Sequence, residues 1–270
     1  MRLSTPKRSM NSSSYSDQSK SGAAVRCEGI SRAFAGTGLV LDRLTFQIEP
    51  GEFVALLGPS GSGKSSLLRL TAGLDRADAG RLVIEAEQGT VSRGFVFQEA
   101  TLIPWRNVLR NTTLPLELQG WEMERAKARA EEELRRVRLM EFAARYPHEL
   151  SGGMKMRTSV ARALITHPNL LLLDEPFAAL DEPTRHALQQ QLREIWAALG
   201  MTVLFVTHSI SEAVFLANRI IVLSPRPARI LLDSSIQLTE TRTAALRTSF
   251  AYVEEVRRIA TVVPTPEQET

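Results

Sequence analysis

"FVALLGPSGSGKSSLLRLTAGL", residues 53–74, passes from an unbroken apolar run through a glycine-rich loop into a segment of helical period. Strand, loop and helix in that order are the setting in which G-x-x-x-x-G-K-S works as a phosphate-binding loop. Gly58, Gly61 and Gly63 let the backbone wrap a phosphate, and the N–H groups at the helix start bind its oxygens. Lys64 then reaches the β and γ phosphates, and the Ser65 hydroxyl ligates Mg²⁺. The candidate nucleotide-binding set is therefore Gly58, Pro59, Ser60, Gly61, Ser62, Gly63, Lys64, Ser65 and Ser66. A chance glycine-rich turn would need neither the strand before it nor the helix after it.

Outward from this loop, "FVF" at 95, "LLLL" at 170, "VLFVT" at 203 and "IIVL" at 220 are short apolar runs separated by segments of helical period. That alternation predicts an α/β fold around buried strands. "LLLL" lacks β-branching, but four residues closely flanked by Pro168 and Pro176 suit a buried strand better than a helix. "AVRCEGI" and "LTFQIEPGEFVALL", with Gly51 at a turn, predict a small antiparallel β layer. The stretch from Trp121 to Tyr146 is charge-laced, with Glu131 and Arg135, and Glu132 and Arg136, at i,i+4 spacing. It reads as an exposed helix in a separate helical lobe. "DEPTRHALQQQLREIWAALG" predicts a helix capped by Asp181, with Pro183 in its first turn and Gly200 at its end.

"LLLLDEP", Leu170 to Pro176, delivers two carboxylates at the C-terminal end of a strand, where parallel sheets bind ligands. Asp174 is suited to hold Mg²⁺ and Glu175 to polarise an attacking water. The blander alternative is that both merely cap the following helix. His208 ends "VLFVTH" on the same sheet edge, where it could touch a γ phosphate, although alone such a histidine is more often a satisfied structural residue. His148, His167 and His186 read as structural.

Composition narrows the class. The chain has 270 residues and 43% apolar content, enough for one large domain with extensions. Arg2, Lys7, Arg8 and Lys20, against the single acid Asp17, place the whole formal excess of +3 in residues 1–22, so the rest is balanced. A duplex binder would carry its charge on a folded face, so no nucleic-acid partner is expected. The tail is serine-rich and basic without an apolar core, and is expected to be disordered. One cysteine, Cys27, excludes an internal disulfide and any cysteine-rich metal site, and fits a reducing compartment. No apolar run approaches the roughly 20 residues of a spanning helix.

Taken together, these motifs resemble the ATP-binding subunits of ABC transporters, from about Val25 to Ile230. Gly58 to Ser65 is similar to the Walker A motif and Gln98 to the Q-loop residue. Leu150 to Met154, "LSGGM", is similar to the signature loop and Leu170 to Glu175 to Walker B. Ala179 to Asp181 corresponds to the D-loop and His208 to the switch histidine. The wording "VFQEATLIPW", "YPHELSGGM" and "VLFVTHSISEAVFLANRIIVLS" is similar to the nitrate, sulfonate and taurine importer group.

The resemblance implies a P-loop NTPase core with a small antiparallel layer and a helical signature subdomain at about 100–160. On this division residues 1–22 are the tail, 23–235 the ATP-binding domain and 236–270 a partly helical extension. It implies ATP and Mg²⁺ as cofactors, with Glu175, His208, Gln98 and Lys64 catalytic and Ser65, Gln98 and Asp174 around the metal. Two subunits would bind ATP head to tail, with Ser151 and Gly153 of one facing the nucleotide of the other, and Gly152 and Asp181 are implied to be nucleotide-binding as well. That arrangement has a physical reason, since a transferred phosphoryl needs charge stabilisation from all sides. Phe34 is implied to stack on adenine, the alternative being a core phenylalanine. Leu102 to Trp105 is implied to meet an integral-membrane permease, the alternative being local packing.

The implied protein is a cytoplasmic ATPase, peripheral on the inner face of the membrane, that powers uptake of a small solute supplied by a binding protein. The sequence departs from the group at Met156, Thr158, Ser159 and Ser66, none of which removes a catalytic group. A soluble ABC-type ATPase acting on nucleic acid or ribosomes is the rival. It would usually show paired ATPase domains, zinc-binding cysteines or long heptad runs, which this sequence lacks. A metabolic P-loop kinase leaves "LSGGM" without a task.

Overall fold

The computed structural model describes residues 22–86, 89–239 and 241–264. The expected basic tail, Gly22 apart, lies outside them. Strands β3 (Phe53–Leu57), β5 (Arg93–Val96), β6 (Leu170–Asp174), β7 (Thr202–Thr207), β8 (Arg219–Leu223) and β9 (Ile230–Ser235) form one sheet in the order β5-β6-β7-β3-β8-β9. All its pairings are parallel except β8 with β9. β1 (Ala23–Phe34) lies between β2 (Gly38–Ile48) and β4 (Ala79–Ala86) in a separate antiparallel sheet.

The expected antiparallel layer thus needs a correction. "LTFQIEPGEFVALL" is split at Gly51, which holds φ 77°, and "FVALL" joins the parallel sheet instead. The third antiparallel strand is β4.

Alternation along the buried strands divides the core. Phe53, Ala55 and Leu57 of β3, with Leu171, Leu173, Val203 and Phe205, face helices α4 (Gly152–Leu164), α5 (Glu182–Leu199) and α6 (Ile210–Leu216). Val54, Leu56, Leu170, Leu172, Leu204 and Val206 face α1 (Lys64–Ala72) and the antiparallel layer. "LLLL" is a strand, as its flanking prolines imply, because each leucine is fully buried between neighbours on both sides.

α2 (Val108–Leu118), α3 (Met123–Arg136) and α4 pack together. The helix expected over Trp121 to Tyr146 is shorter: α3 stops at Arg136, Arg138 takes φ 57°, and single 3₁₀ turns follow at Met140–Phe142 and Pro147–Glu149. Of its apolar residues, the small Ala126 and Ala130 pack with Leu116 of α2 and Ile165, while Leu134 joins the main core. Glu131 pairs with Arg135 as its spacing suggests, at 3.0 Å. Arg136 turns instead to Glu133 at 3.2 Å, and Glu132 to Arg129 at 2.7 Å. Glu133 is 1% exposed, and a buried carboxylate claims partners more strongly than a solvated one.

α5 begins and ends as its sequence indicates. The Asp181 carboxylate accepts from Thr184 N at 3.2 Å, and Gly200 closes the helix at φ 64°. Met156 is buried in the main core rather than presenting a polar group, and Thr158 donates to the Met154 carbonyl at 2.9 Å.

Cys27 in β1 is buried, and burial pushes its thiol up to about 12. The thiolate is the reactive form, so the folded chain is expected to resist a thiol reagent at pH 8. One equivalent should react in denaturant; rapid labelling of the native protein would contradict this packing.

Candidate active site

Four adjacent strands end at one edge. β3 runs into the glycine loop, β6 ends on Asp174 followed by Glu175, β7 is followed by His208, and Gln98 lies two residues beyond β5. The sequence runs that looked separate are neighbours because the strand order is β5-β6-β7-β3.

In the loop, Gly61 and Gly63 take φ 76° and 103°. Gly63 also faces β2: a Cβ there would lie 2.7 Å from Leu41 Cδ2 and 2.8 Å from Val40 Cγ1. A side chain would therefore be both strained and crowded. Lys64 opens α1 and is 4% exposed, its ammonium donating to the carbonyls of Gly58 at 2.9 Å and Pro59 at 2.7 Å. Burial lowers its pKa, while Glu175 and Asp174 oppose that shift.

The Ser65 hydroxyl donates to Asp174 Oδ1 at 2.8 Å, so the two expected metal ligands are already in contact. Burial pushes the Asp174 carboxyl up, and the Ser65 bond works against the rise. Glu175 sits at φ 43°, a sparsely populated conformation for a residue with a side chain, and its N–H bonds Val206 O at 3.0 Å. Its Oε2 lies 2.9 Å from His208 Nδ1. Neither carboxylate caps α5, which uses Asp181, so the capping alternative fails.

The other expected residues are more dispersed. Gln98 is exposed. Phe34 closes β1, 36% exposed, with the Arg32 guanidinium 4.6 Å from its ring centroid. It is not a core phenylalanine. Ser151 caps α4, accepting from Met154 N at 3.3 Å. Gly153 packs on α5, where a Cβ would come within 2.4 Å of Thr184 Cγ2. Ser151 has no hydrogen bond to residues 58–65 among the described residues. His148, His167 and His186 lie away from the converging strand ends; burial and nearby arginines push His167 down to about 4.

Three polar residues escaped sequence reasoning. Arg226, in the β8–β9 turn, donates to Gly61 O at 2.8 Å. Asn111 is fully buried, accepts from Ile103 N at 2.7 Å and donates to the carbonyls of Ile103, Arg106 and Asn107. Arg162 of α4 donates to the carbonyls of Ala100 and Thr101, both at 2.9 Å. The only advance signal is Arg226 between two prolines after a strand. An asparagine in a helix and an arginine in the signature helix look like ordinary surface residues.

A glycine loop at a helix start, a serine–aspartate pair beside it and a glutamate–histidine pair on the next strand ends define a P-loop nucleotide-binding protein. Residues 41–178 match the ABC transporter family model. The taurine import ATP-binding protein TauB of Rhizobium johnstonii is 44% identical over 230 residues, covering 81% of this chain and 88% of that protein. The nitrate import ATP-binding protein NrtD of Synechocystis is 44% identical over 206 residues, covering 75% and 77%. Among solved structures, the ATP-binding cassette MJ0796, in a dimeric post-hydrolysis state bound to ADP and Pi, superposes with a TM-score of 0.69 at 30% identity. That match covers 80% of this chain and all of the other. The chain belongs to the ABC transporter ATP-binding family.

Proposed function

We propose that this protein hydrolyses ATP to power an importer of a small oxyanion, of the sulfonate or nitrate kind, through a separate permease. The observation that carries the reading is the join of Ser65 to Asp174 beside Glu175 and His208, at the foot of the glycine loop. The transport direction and solute class rest on the names of its relatives. No helix among the described residues is long and apolar enough to cross a membrane, so the path for the solute belongs to a partner on this reading. The expected location is the cytoplasmic face of the membrane.

The donor set fits Mg²⁺. Ser65 and Asp174 offer hard oxygens, Gln98 an amide oxygen at the same edge, and Mg²⁺ commonly takes only one or two protein oxygens together with phosphates and water. Held by Ser65 and Asp174, such a cation would supply charge neutralisation for the phosphates. Lys64 is placed to exchange its two loop carbonyls for phosphate oxygens. Glu175 orients and deprotonates the attacking water, and His208, held against Glu175, faces the γ phosphate. Two chains pair head to tail, so that Ser151 to Gly153 of one complete the site of the other. The dimeric state of the cassette MJ0796 supports the pairing of two chains. Phe34 is open to stack on adenine.

The permease contact is assigned to Leu102–Trp105. Trp105 is 77% exposed, and its loop is fixed by Asn111. Large apolar side chains left open on a rigid loop suit a docking surface. In membranes carrying the cognate permease, Trp105→Ala is expected to release about nine-tenths of the chain, a loss of affinity of one to two decades, with ATP binding unchanged. Retention equal to wild type would remove Trp105 from the contact. An ATPase serving nucleic acid would fail to sediment with permease-containing membranes at all.

A further inference from the structure

Glu212, in the first turn of α6, is a second buried acid near the site, 8% exposed, which the reading above leaves without a task. Its partners come from three directions. Oε2 accepts from the Thr207 hydroxyl at 2.7 Å, and Thr207 is the residue before His208. The same hydroxyl accepts from Ser209 N at 3.0 Å, so it holds the chain on both sides of the histidine. Oε1 lies 3.7 Å from Arg185 Nε, and Arg185 donates to the carbonyls of Phe177 at 3.3 Å and Leu180 at 2.6 Å, in the segment joining Glu175 to Asp181. Oε1 also accepts from Gln189 Nε2 at 3.1 Å, and Gln189 Oε1 accepts from Arg247 at 2.6 Å.

Arg247 belongs to the C-terminal arm, a 3₁₀ turn at Ala244–Thr248 followed by α7 (Phe250–Ala260). The arm grips α6 along its length. Tyr252 donates to Ser211 O at 2.7 Å, Arg247 lies 3.5 Å from the Phe215 ring centroid, and Arg242 donates to the carbonyls of Val214, Phe215 and Ala217 at 2.6, 2.9 and 2.7 Å. Glu212 is therefore where the end of β7, the Glu175–Asp181 segment and the arm meet.

We propose that Glu212 is a positioning residue for the His208–Glu175 pair, and that the C-terminal arm sets the turnover rate through Arg247, Gln189 and Glu212. Thr207 and Gln189, hydrogen-bonded to Glu212, and Arg185, paired with it, are coupled through one carboxylate. Displacing the arm moves Gln189, which moves the carboxylate that fixes Thr207, and His208 follows. Thr207, Gln189, Glu212 and Arg247 do not touch nucleotide on the reading above, so the effect falls on the chemical step and not on ATP affinity.

The proposal rests on Glu175 and His208 acting in hydrolysis, and the test separates the two ideas. Full-length Thr207→Val, Glu212→Ala and Arg247→Ala, singly and paired, are compared for kcat and for equilibrium ATP binding. Thr207→Val and Glu212→Ala should each lower kcat about tenfold and Arg247→Ala about threefold, within the range by which residues remote from a ligand modulate it. Kd for ATP should stay within about twofold, and each pair should lose no more than its worse member, as expected for groups acting as one unit. Wild-type kcat in Thr207→Val, or losses that multiply in the pairs, or a Kd that rises with the fall in kcat, would overturn it. If Glu212→Ala does not fold, Thr207→Val and Arg247→Ala decide by the same criteria. Near-normal turnover in a Glu175→Gln control would sink the reading of the site itself. Loss there, with Thr207→Val unaffected, would sink only this proposal.

Discussion

Glu175→Gln is expected to lower ATP turnover by about 10²- to 10³-fold, the usual loss when a positioned general base is removed, while leaving ATP binding intact. Backbone and side-chain contacts together single this residue out. Glu175 is held at φ 43°, its N–H bonded to Val206 O on the adjacent strand, and its carboxylate rests 2.9 Å from His208 Nδ1. Strain of this kind persists where surrounding structure over-determines it. The amide keeps shape and hydrogen bonding but cannot take a proton. A chain that binds ATP without consuming it should accumulate as a nucleotide-bound dimer on gel filtration. Turnover within about threefold of wild type, far short of that loss, would remove Glu175 from the role.

A mixed dimer of one Lys64→Ala chain and one Ser151→Arg chain is expected to occlude one Mg·ATP, whereas either homodimer occludes none. Ser151 caps α4, and Gly153 is pressed on Thr184 at the start of α5. Within one chain, Ser151 makes no hydrogen bond to residues 58–65 among the described residues. If each site is completed by the partner, the two lesions in the mixed dimer fall together in one site and the other is wholly intact. If each chain completes its own, both sites are damaged. Occlusion is the better measurement because coupling between sites can suppress turnover even when one is whole. No occluded nucleotide, in mixed dimers shown to have formed, counts against the shared site.

The glycine loop and the Asp174–Glu175 pair were legible because each is a run of consecutive residues whose spacing alone carries the chemistry. The buried strands were legible from their apolar runs and flanking prolines. What escaped has different causes. α2 reads "VLRNTTLPLEL", with Pro115 in its interior and two threonines, so local preference argues against the helix that packing on α3 and α4 stabilises. The loss of Arg136 from Glu132 to Glu133 depends on burial of Glu133, which spacing cannot express. Arg226 meets Gly61 across 165 residues, and Arg247 meets Gln189 across 58. Such contacts exist only once the strand order is set. Ser151 reads in the sequence as a phosphate-facing serine, whereas the contact the structure shows is its capping of α4.

The tethers that Asn111 and Arg162 place on the segment after Gln98 bear on how force would cross this molecule. A loop free to flex absorbs a push as a change of its own shape. Here Asn111 ties residues 103, 106 and 107 to α2, and Arg162 ties Ala100 and Thr101 to α4, whose first turn is capped by Ser151. Trp105 and Ser151 thus stand at two points of one stiff frame. If Trp105 is the permease contact proposed above, its displacement would arrive at the serine as travel instead of being lost as slack, in the manner of a lever whose arms share a single casting.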